Sequence, residues 1–304
     1  MISFSTCWNS ARHTAGDAML REIKTKLGFD LIELGQAVRR PLVPGIEKML
    51  DAGEIRVSSL HNICPLSAEL APASSDRYKF SAVSDAEREA AITQTLRTID
   101  FAARLDAPFV VLHLGEVEMS PITTRLIAMA KTGKYLSREY VRMKISAVQE
   151  REKIAPAALQ RVKECLCRIV EYAASKNIRI GLESRRDYEQ IPTERELMEL
   201  LEEMKSPQLG YWHDFGHSQI KENLGFIDHA EWLRAIGPRA FGCHVQDCVW
   251  PARDHLPPFT GGVDFEKLVP LFPTNCLFVW KMNANTTADA IRQSVQMWKE
   301  RFGE

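Results

Sequence analysis

Eight short apolar runs in the chain each carry or lead into a polar side chain. Ile2–Trp8 runs into Asn9, Leu31–Leu34 contains Glu33, Ile55–Leu60 ends at His61 and Phe109–Leu112 ends at His113. Further on, Ile178–Leu182 ends at Glu183, Leu209–His213 at Asp214, Phe241–Cys243 at His244 and Leu277–Trp280 at Lys281. Carboxylates and imidazoles brought together carry protons and hold divalent ions. Glu183, Asp214 and His244 form a mixed oxygen and nitrogen set that suits Mn²⁺, Zn²⁺, Mg²⁺ or Co²⁺. Three ligands from three strands leave positions open for substrate oxygens, which catalysis needs. Taken one at a time, such residues also pair with their neighbours in ordinary cores.

Something must bring those ends together. Helical stretches separate the runs: Asp17–Leu27, Pro44–Ala52, Ala86–Leu105, Ala157–Lys176, Glu194–Met204, His229–Ile236, Phe265–Leu271 and Thr287–Arg301. Ser84, Asp85 and Thr287 are candidate N-caps. Eight strands alternating with helices predict a (β/α)8 TIM barrel, whose active site lies at the carboxyl ends of its strands. No linker or repeat divides the chain, so residues 1–304 are read as one domain. Long loops after strand 3 (62–83) and strand 4 (115–154) lie on the active-site face, where they cover a ligand or meet a second subunit.

Along a barrel strand, inward and outward residues alternate. Gly181, Trp212, Gly242 and Val279 are therefore expected inside. Leu182, His213 and Cys243 are expected against the helices, with His213 structural. His217, one turn after Asp214, can point back at the site.

With 39 basic and 40 acidic residues the net charge is −1, and no basic block stands out, so capture of nucleic acid is disfavoured. No apolar run approaches the roughly 20 residues that span a bilayer. The amino terminus has no charged segment followed by an apolar one, so a cytoplasmic protein is expected. Seven irregularly spaced cysteines without a CxxC pair predict reduced thiols.

The stretches SLHNICP, FVVLHLG, IRIGLESRRDYEQIPTERELMELL, LGYWHDFGHSQ, FGCHVQD and DHLPPFTGGVDF resemble the xylose isomerase-like barrel superfamily, in the same order and over nearly the whole chain. That group includes sugar and sugar-phosphate isomerases and epimerases, inosose dehydratases and endonuclease IV. WHDFGH is the most specific piece, followed by GLESRR with IPTE. The resemblance implies metal-assisted proton transfer on a small polyhydroxylated carbohydrate or keto acid, giving isomerisation, epimerisation or dehydration. It assigns one divalent ion to Glu183, Asp214 and His244, with Glu183 also a catalytic base. It gives His61, His113, Arg185, His217 and His255 contacts with substrate, and it implies a possible homodimer.

Three departures matter. Many members end the last strand with a glutamate that closes the metal site and serves as the second acid/base; here that position is Lys281. The turn after His255 reads Phe259-Thr260-Gly261 in place of Gly-Glu-Gly or Gly-Thr-Gly. Arg253 stands where endonuclease IV has an acid, which argues against a nuclease. Lys281 has two readings. It is a catalytic acid/base or an anionic-group anchor beside the metal, with ion and burial lowering its pKa. Alternatively, Glu183 and Asp214 hold it cationic and it replaces the metal in a non-catalytic or metal-free carbohydrate-binding barrel.

Of the remaining residues, Trp8 and Trp212 are expected to pack rather than stack on a sugar. Glu33 is expected to support His61 or a neighbouring histidine, and Asp247 to orient a neighbour. One of Arg185 and Arg186 is expected to pair with Glu189 or Asp187.

Overall fold

The computed structural model describes residues 1–66 and 78–303. Eight parallel strands close into a barrel: β1 (Ile2–Ser5), β2 (Leu31–Leu34), β3 (Arg56–His61), β4 (Phe109–Leu112), β5 (Arg179–Glu183), β6 (Leu209–Asp214), β7 (Ala240–Val245) and β8 (Leu277–Trp280). Neighbours run in chain order, and β8 closes on β1. The expected (β/α)8 fold is therefore present. The helices are α1 (Gly16–Leu27), α2 (Val43–Asp51), α3 (Asp85–Arg104), α4 (Ile122–Lys131), α5 (Arg138–Ser175), α6 (Glu194–Met204), α7 (Phe215–Asn223), α8 (His229–Ile236), α9 (Phe265–Leu268) and α10 (Ala288–Phe302).

Alternation holds inside the barrel. Trp212, Val279, Val111, Leu31 and Leu277 form a core cluster separate from the one that holds Leu182 and Cys243. Trp212 is fully buried and two glycines make its room. A Cβ at Gly242 would lie 2.7 Å from the indole, and one at Gly181 2.8 Å from it. His213 faces outward as expected: Nδ1 meets the Tyr211 hydroxyl at 2.6 Å and Nε2 meets His229 Nε2 at 3.0 Å.

Strand 1 is shorter than its apolar run. Thr6–Trp8 turn into a 3-10 helix capped by the Ser5 hydroxyl. Asn9 is thereby carried away from the strand ends, and its amide donates to Met19 O and Glu22. Trp8 is buried, with its Nε1 donating to Thr286 O at 2.8 Å, so it packs as expected.

The segment after β4 is mostly helical, and α5 begins well before Ala157. Proline lacks the N–H and crowds the preceding turn, so it usually marks a helix boundary. Here Pro156 lies inside α5, where tertiary contacts outweigh its cost. Arg151 is buried and donates to Tyr188 O, to Gln190 O and to both oxygens of Glu196. Glu196 also completes the capping box of α6 with Thr193. On α4 and α5, Ile122, Leu126 and Tyr140 pack with Ile220 of α7 and with Leu224, its C-cap. This insertion thus buttresses the helix that follows Asp214.

Two short antiparallel ribbons fix the loops above the barrel. Gly115–Glu116 pairs with Gln190–Ile191, and Asp247–Val249 pairs with Arg253–Leu256. Asp247 anchors the second by accepting from the backbone N–H of Thr260, Gly261 and Val263. The loop expected at 62–83 falls partly outside the described residues. All seven cysteines are free thiols, as expected; Cys165 is buried and Cys167 exposed on α5. No described helix is long and apolar enough to cross a membrane.

Candidate active site

Strand register places the charged residues side by side. Asp214 is the Cα partner of His244, which is the partner of Val279, two residues before Lys281. Asp214 also ends β6 and caps α7, its Oδ1 accepting the His217 N–H at 2.9 Å. Helix geometry then returns the His217 side chain to the strand ends.

Glu183 is fully buried at the centre, and its two oxygens face different groups. Oε2 lies 2.9 Å from both His61 Nε2 and His113 Nε2. Oε1 lies 3.1 Å from His244 Nδ1, 3.5 Å from His217 Nδ1 and 3.5 Å from Lys281 Nζ. His244 Nδ1 is in turn 3.5 Å from Asp214 Oδ2 and 3.4 Å from Lys281 Nζ. Two groups of donor atoms lie within 4.8 Å of one another: His61 with His113 and Glu183, and Glu183 with Asp214 and His217. Nearly all the expected site residues are thus brought together. His255 stands further out, its ring 6.1 Å from that of His217 and its Nδ1 3.3 Å from Asp254. Arg185 is buried just beyond Glu183. Arg186 pairs with Asp187 at 3.1 Å, the pairing expected of one of the two arginines.

Glu33 supports His244. Its Oε2 accepts from His244 Nε2 at 3.1 Å and from the Ser59 hydroxyl at 2.9 Å. A carboxylate behind an imidazole fixes the ring and turns its other nitrogen toward the site. Gln246 and Ser184 were not singled out by sequence. Gln246 Nε2 donates to both Asp214 oxygens, at 2.7 and 2.8 Å, while its Oε1 accepts the His255 N–H. The Ser184 hydroxyl accepts the Asp214 N–H at 2.7 Å. Gln246 lies two residues past His244, so alternation was the signal that could have found it.

The electrostatics form one coupled set. Burial pushes the Glu183 carboxyl up, but Lys281, His244 and His113 outweigh it and hold it well below the usual range. Asp214 is held low against burial by His217, His244 and Lys281. Glu33 is held at about 2 against burial, chiefly by His244. Burial opposes the charge on Lys281, yet Glu183 and Asp214 raise its pKa. Without an ion, then, burial does not lower Lys281 as one sequence reading expected. Burial and Lys281 disfavour protonation of His244, but Glu33 and Glu183 win and raise it well above the ordinary value. Burial lowers His61 and His217 to about 4.

Glu183 and Asp214 have two candidate nitrogen partners for holding a divalent ion, His217 and His244. Ligands bound at about 2.1 Å sit roughly 3 to 3.5 Å apart around one ion. His244 Nδ1 stands at 3.1 and 3.5 Å from Glu183 Oε1 and Asp214 Oδ2. Lys281 Nζ takes a fourth corner at similar separations, but as an ammonium it has no lone pair to give.

Residues 22–300 match the xylose isomerase-like TIM barrel family. No curated protein matches the sequence. Among solved structures, a D-tagatose 3-epimerase-like protein is 19% identical with a TM-score of 0.69, covering 99% of this chain and 96% of its own. D-allulose 3-epimerase from Methylomonas sp., solved with D-allulose, is 15% identical with a TM-score of 0.66, covering 99% and 96%. The IOLI protein, solved with a bound zinc atom, is 14% identical with a TM-score of 0.66, covering 100% and 99%. These likenesses agree with the closed barrel, and the family match spans most of its length: the chain belongs to the xylose isomerase-like TIM barrel family.

Proposed function

We propose that the protein is a sugar isomerase-like enzyme that moves a proton at a carbon next to a carbonyl, on a small polyhydroxylated carbohydrate or keto acid. The supporting observation is the charge around Glu183. Glu33, Glu183 and Asp214 bring three buried negative charges, and Lys281 with a protonated His244 returns two. One divalent ion in exchange for the His244 proton would bring these five side chains to neutrality, and burial penalises any residual charge. Glu183, Asp214 and His244 would hold that ion. When bound, it polarises the substrate carbonyl and a neighbouring hydroxyl.

Glu183 is kept ionised and accepts the carbon-bound proton. Lys281 is kept protonated and returns one. His61, His113, Arg185, His217 and His255 line the substrate side and hold hydroxyl or acid groups. Lys281 Nζ is 3.5 Å from Glu183 Oε1. A carbon flanked by two acid/base groups needs them about 6 Å apart, each at contact distance. Their closeness supports one-face chemistry, isomerisation or dehydration, over two-sided epimerisation. The relatives solved as epimerases with sugars support the substrate class.

A second reading rests on the same contact. Lys281 already places an ammonium 3.5 Å from Glu183 Oε1, as a metal-free carbohydrate-binding barrel would require.

The test is carbon-proton exchange in ²H₂O over a panel of aldoses, ketoses and keto acids, with added Mn²⁺, followed by NMR. Exchange should fall at least about 100-fold in Glu183→Gln and in Lys281→Met. Sugar binding without exchange, in a wild type that takes up no Mn²⁺, would favour the second reading.

A further inference from the structure

The opposite end of the barrel holds a cavity of about 610 Å³. It is lined by residues that open the strands, among them Leu31, Phe109, Phe241 and Leu277, with Arg56 and Arg179 beside them. Barrel interiors are ordinarily filled by layered side chains. Here glycines replace some of those side chains. A Cβ at Gly210 would lie 2.6 Å from the Phe241 ring, so that ring lies across the strand where a side chain would stand. Phe109 and Phe241 meet at 5.8 Å between centroids. The Trp212 indole closes the roof, 6.0 Å from Phe109 on one side and 5.6 Å from His244 on the other. The layer of Trp212, Val111 and Val279 thus lies between this cavity and the candidate active site.

The charge in the lining is mostly positive. The Arg179 guanidinium stacks at 5.0 Å from the Phe109 ring and 5.4 Å from the Phe241 ring. Cation–π contact holds it over the aromatic wall without using its hydrogen-bond donors. Among the described residues neither Arg56 nor Arg179 forms an ion pair. Asp106 is an acidic side chain in the lining. A planar guanidinium presents a fork that matches a carboxylate. The volume lies in the usual range for small-molecule sites, which are mostly apolar with a few placed polar groups.

We propose that this cavity binds an apolar monocarboxylate, an aromatic or aliphatic acid whose body lies against Leu31, Phe109, Phe241 and Leu277 and whose carboxylate meets Arg179 and Arg56. The site is distinct from the sugar-directed end and does not depend on the function proposed for it.

The test is calorimetric titration of the untagged wild-type protein with 2-naphthoate and with its neutral counterpart 2-naphthylmethanol. The expected result is saturable naphthoate binding at one site per chain, at least 10-fold tighter than the alcohol. Arg179→Met and Arg56→Met should each weaken naphthoate at least 5-fold, with thermal melting checked against wild type. Both side chains are exposed, so the fold should tolerate their loss. Asp214→Asn, at the far end, should bind naphthoate as wild type does. No binding, equal binding of acid and alcohol, or unchanged affinity in the double arginine variant would overturn the proposal. So would loss of naphthoate binding in Asp214→Asn alone, which would place the acid at the other end.

Discussion

The two ends of this barrel solve opposite problems. At the carboxyl end, Glu33, Glu183, Asp214, His244 and Lys281 are buried together, each within 3.5 Å of at least one other. At the amino end, aromatic and aliphatic side chains line a cavity and the two arginines beside it have no acidic partner among the described residues. Chemistry needs groups held fixed and ready to exchange charge, so the carboxyl end concentrates them and satisfies each through a neighbour. The amino end leaves space and unused donors. A common barrel frame thus does not make its two mouths alike. Each is set by which residue type stands at the strand terminus.

The largest effect should come from removing a ligand at the charged end. Asp214→Asn should weaken Mn²⁺ binding at least about 100-fold, close to 3 kcal/mol, measured by calorimetry. An unchanged affinity would remove Asp214 from the ion site. Next comes the layer between the ends. Gly242→Ala places a Cβ 2.7 Å from the Trp212 ring, and overpacking of this kind costs about 2 kcal/mol in urea unfolding. A neutral result would mean that Trp212 moves freely and that the ends are less separate than described.

A smaller effect tests support from behind. Glu33→Gln keeps the shape but removes the charge facing His244 Nε2, and should lower metal affinity about 10-fold. The smallest is a slope with pH. His61 and His217 are lowered to about 4 and His229 to about 3, by burial. Between those values and the ordinary 6.5, the unfolded chain takes up protons that the folded chain refuses. Stability therefore falls as pH drops from 6.5 toward 4, by about 1.4 kcal/mol per withheld proton per pH unit. Urea midpoints across that range measure it, and Arg179→Met at the other end should leave the slope unchanged.

Much of the charged end was legible in the sequence because each strand is short, apolar and stopped by a polar residue. Glu183 and Asp214 end strands, His244 is the last residue but one of its strand and Lys281 follows its strand directly, so period-two alternation fixed their facing. Glu33 was legible as a support, but only the closed barrel selects His244 over His61 as its hydrogen-bonded partner. Asn9 misled because Thr6–Trp8 leave the strand for a 3-10 turn. The start of α5 was hidden by Pro156, whose local penalty is overridden by the buried Arg151 and Glu196 pair. The amino-end cavity was not legible at all. Gly181, Gly210 and Gly242 hint at missing side chains, but the space depends on where Trp212 and Phe241 place their rings once eight strands have closed.

Whether Glu183, Asp214 and His244 take up one divalent ion beside Lys281 decides between the two readings of the site. Mn²⁺ titration of wild type beside Lys281→Glu, followed by calorimetry and metal analysis after desalting, tests it most directly. One ion per wild-type chain is expected, bound more tightly in Lys281→Glu, where an acid replaces the ammonium. A wild-type protein that binds no ion, beside a variant that binds one, would contradict it and make Lys281 the resident cation of the site.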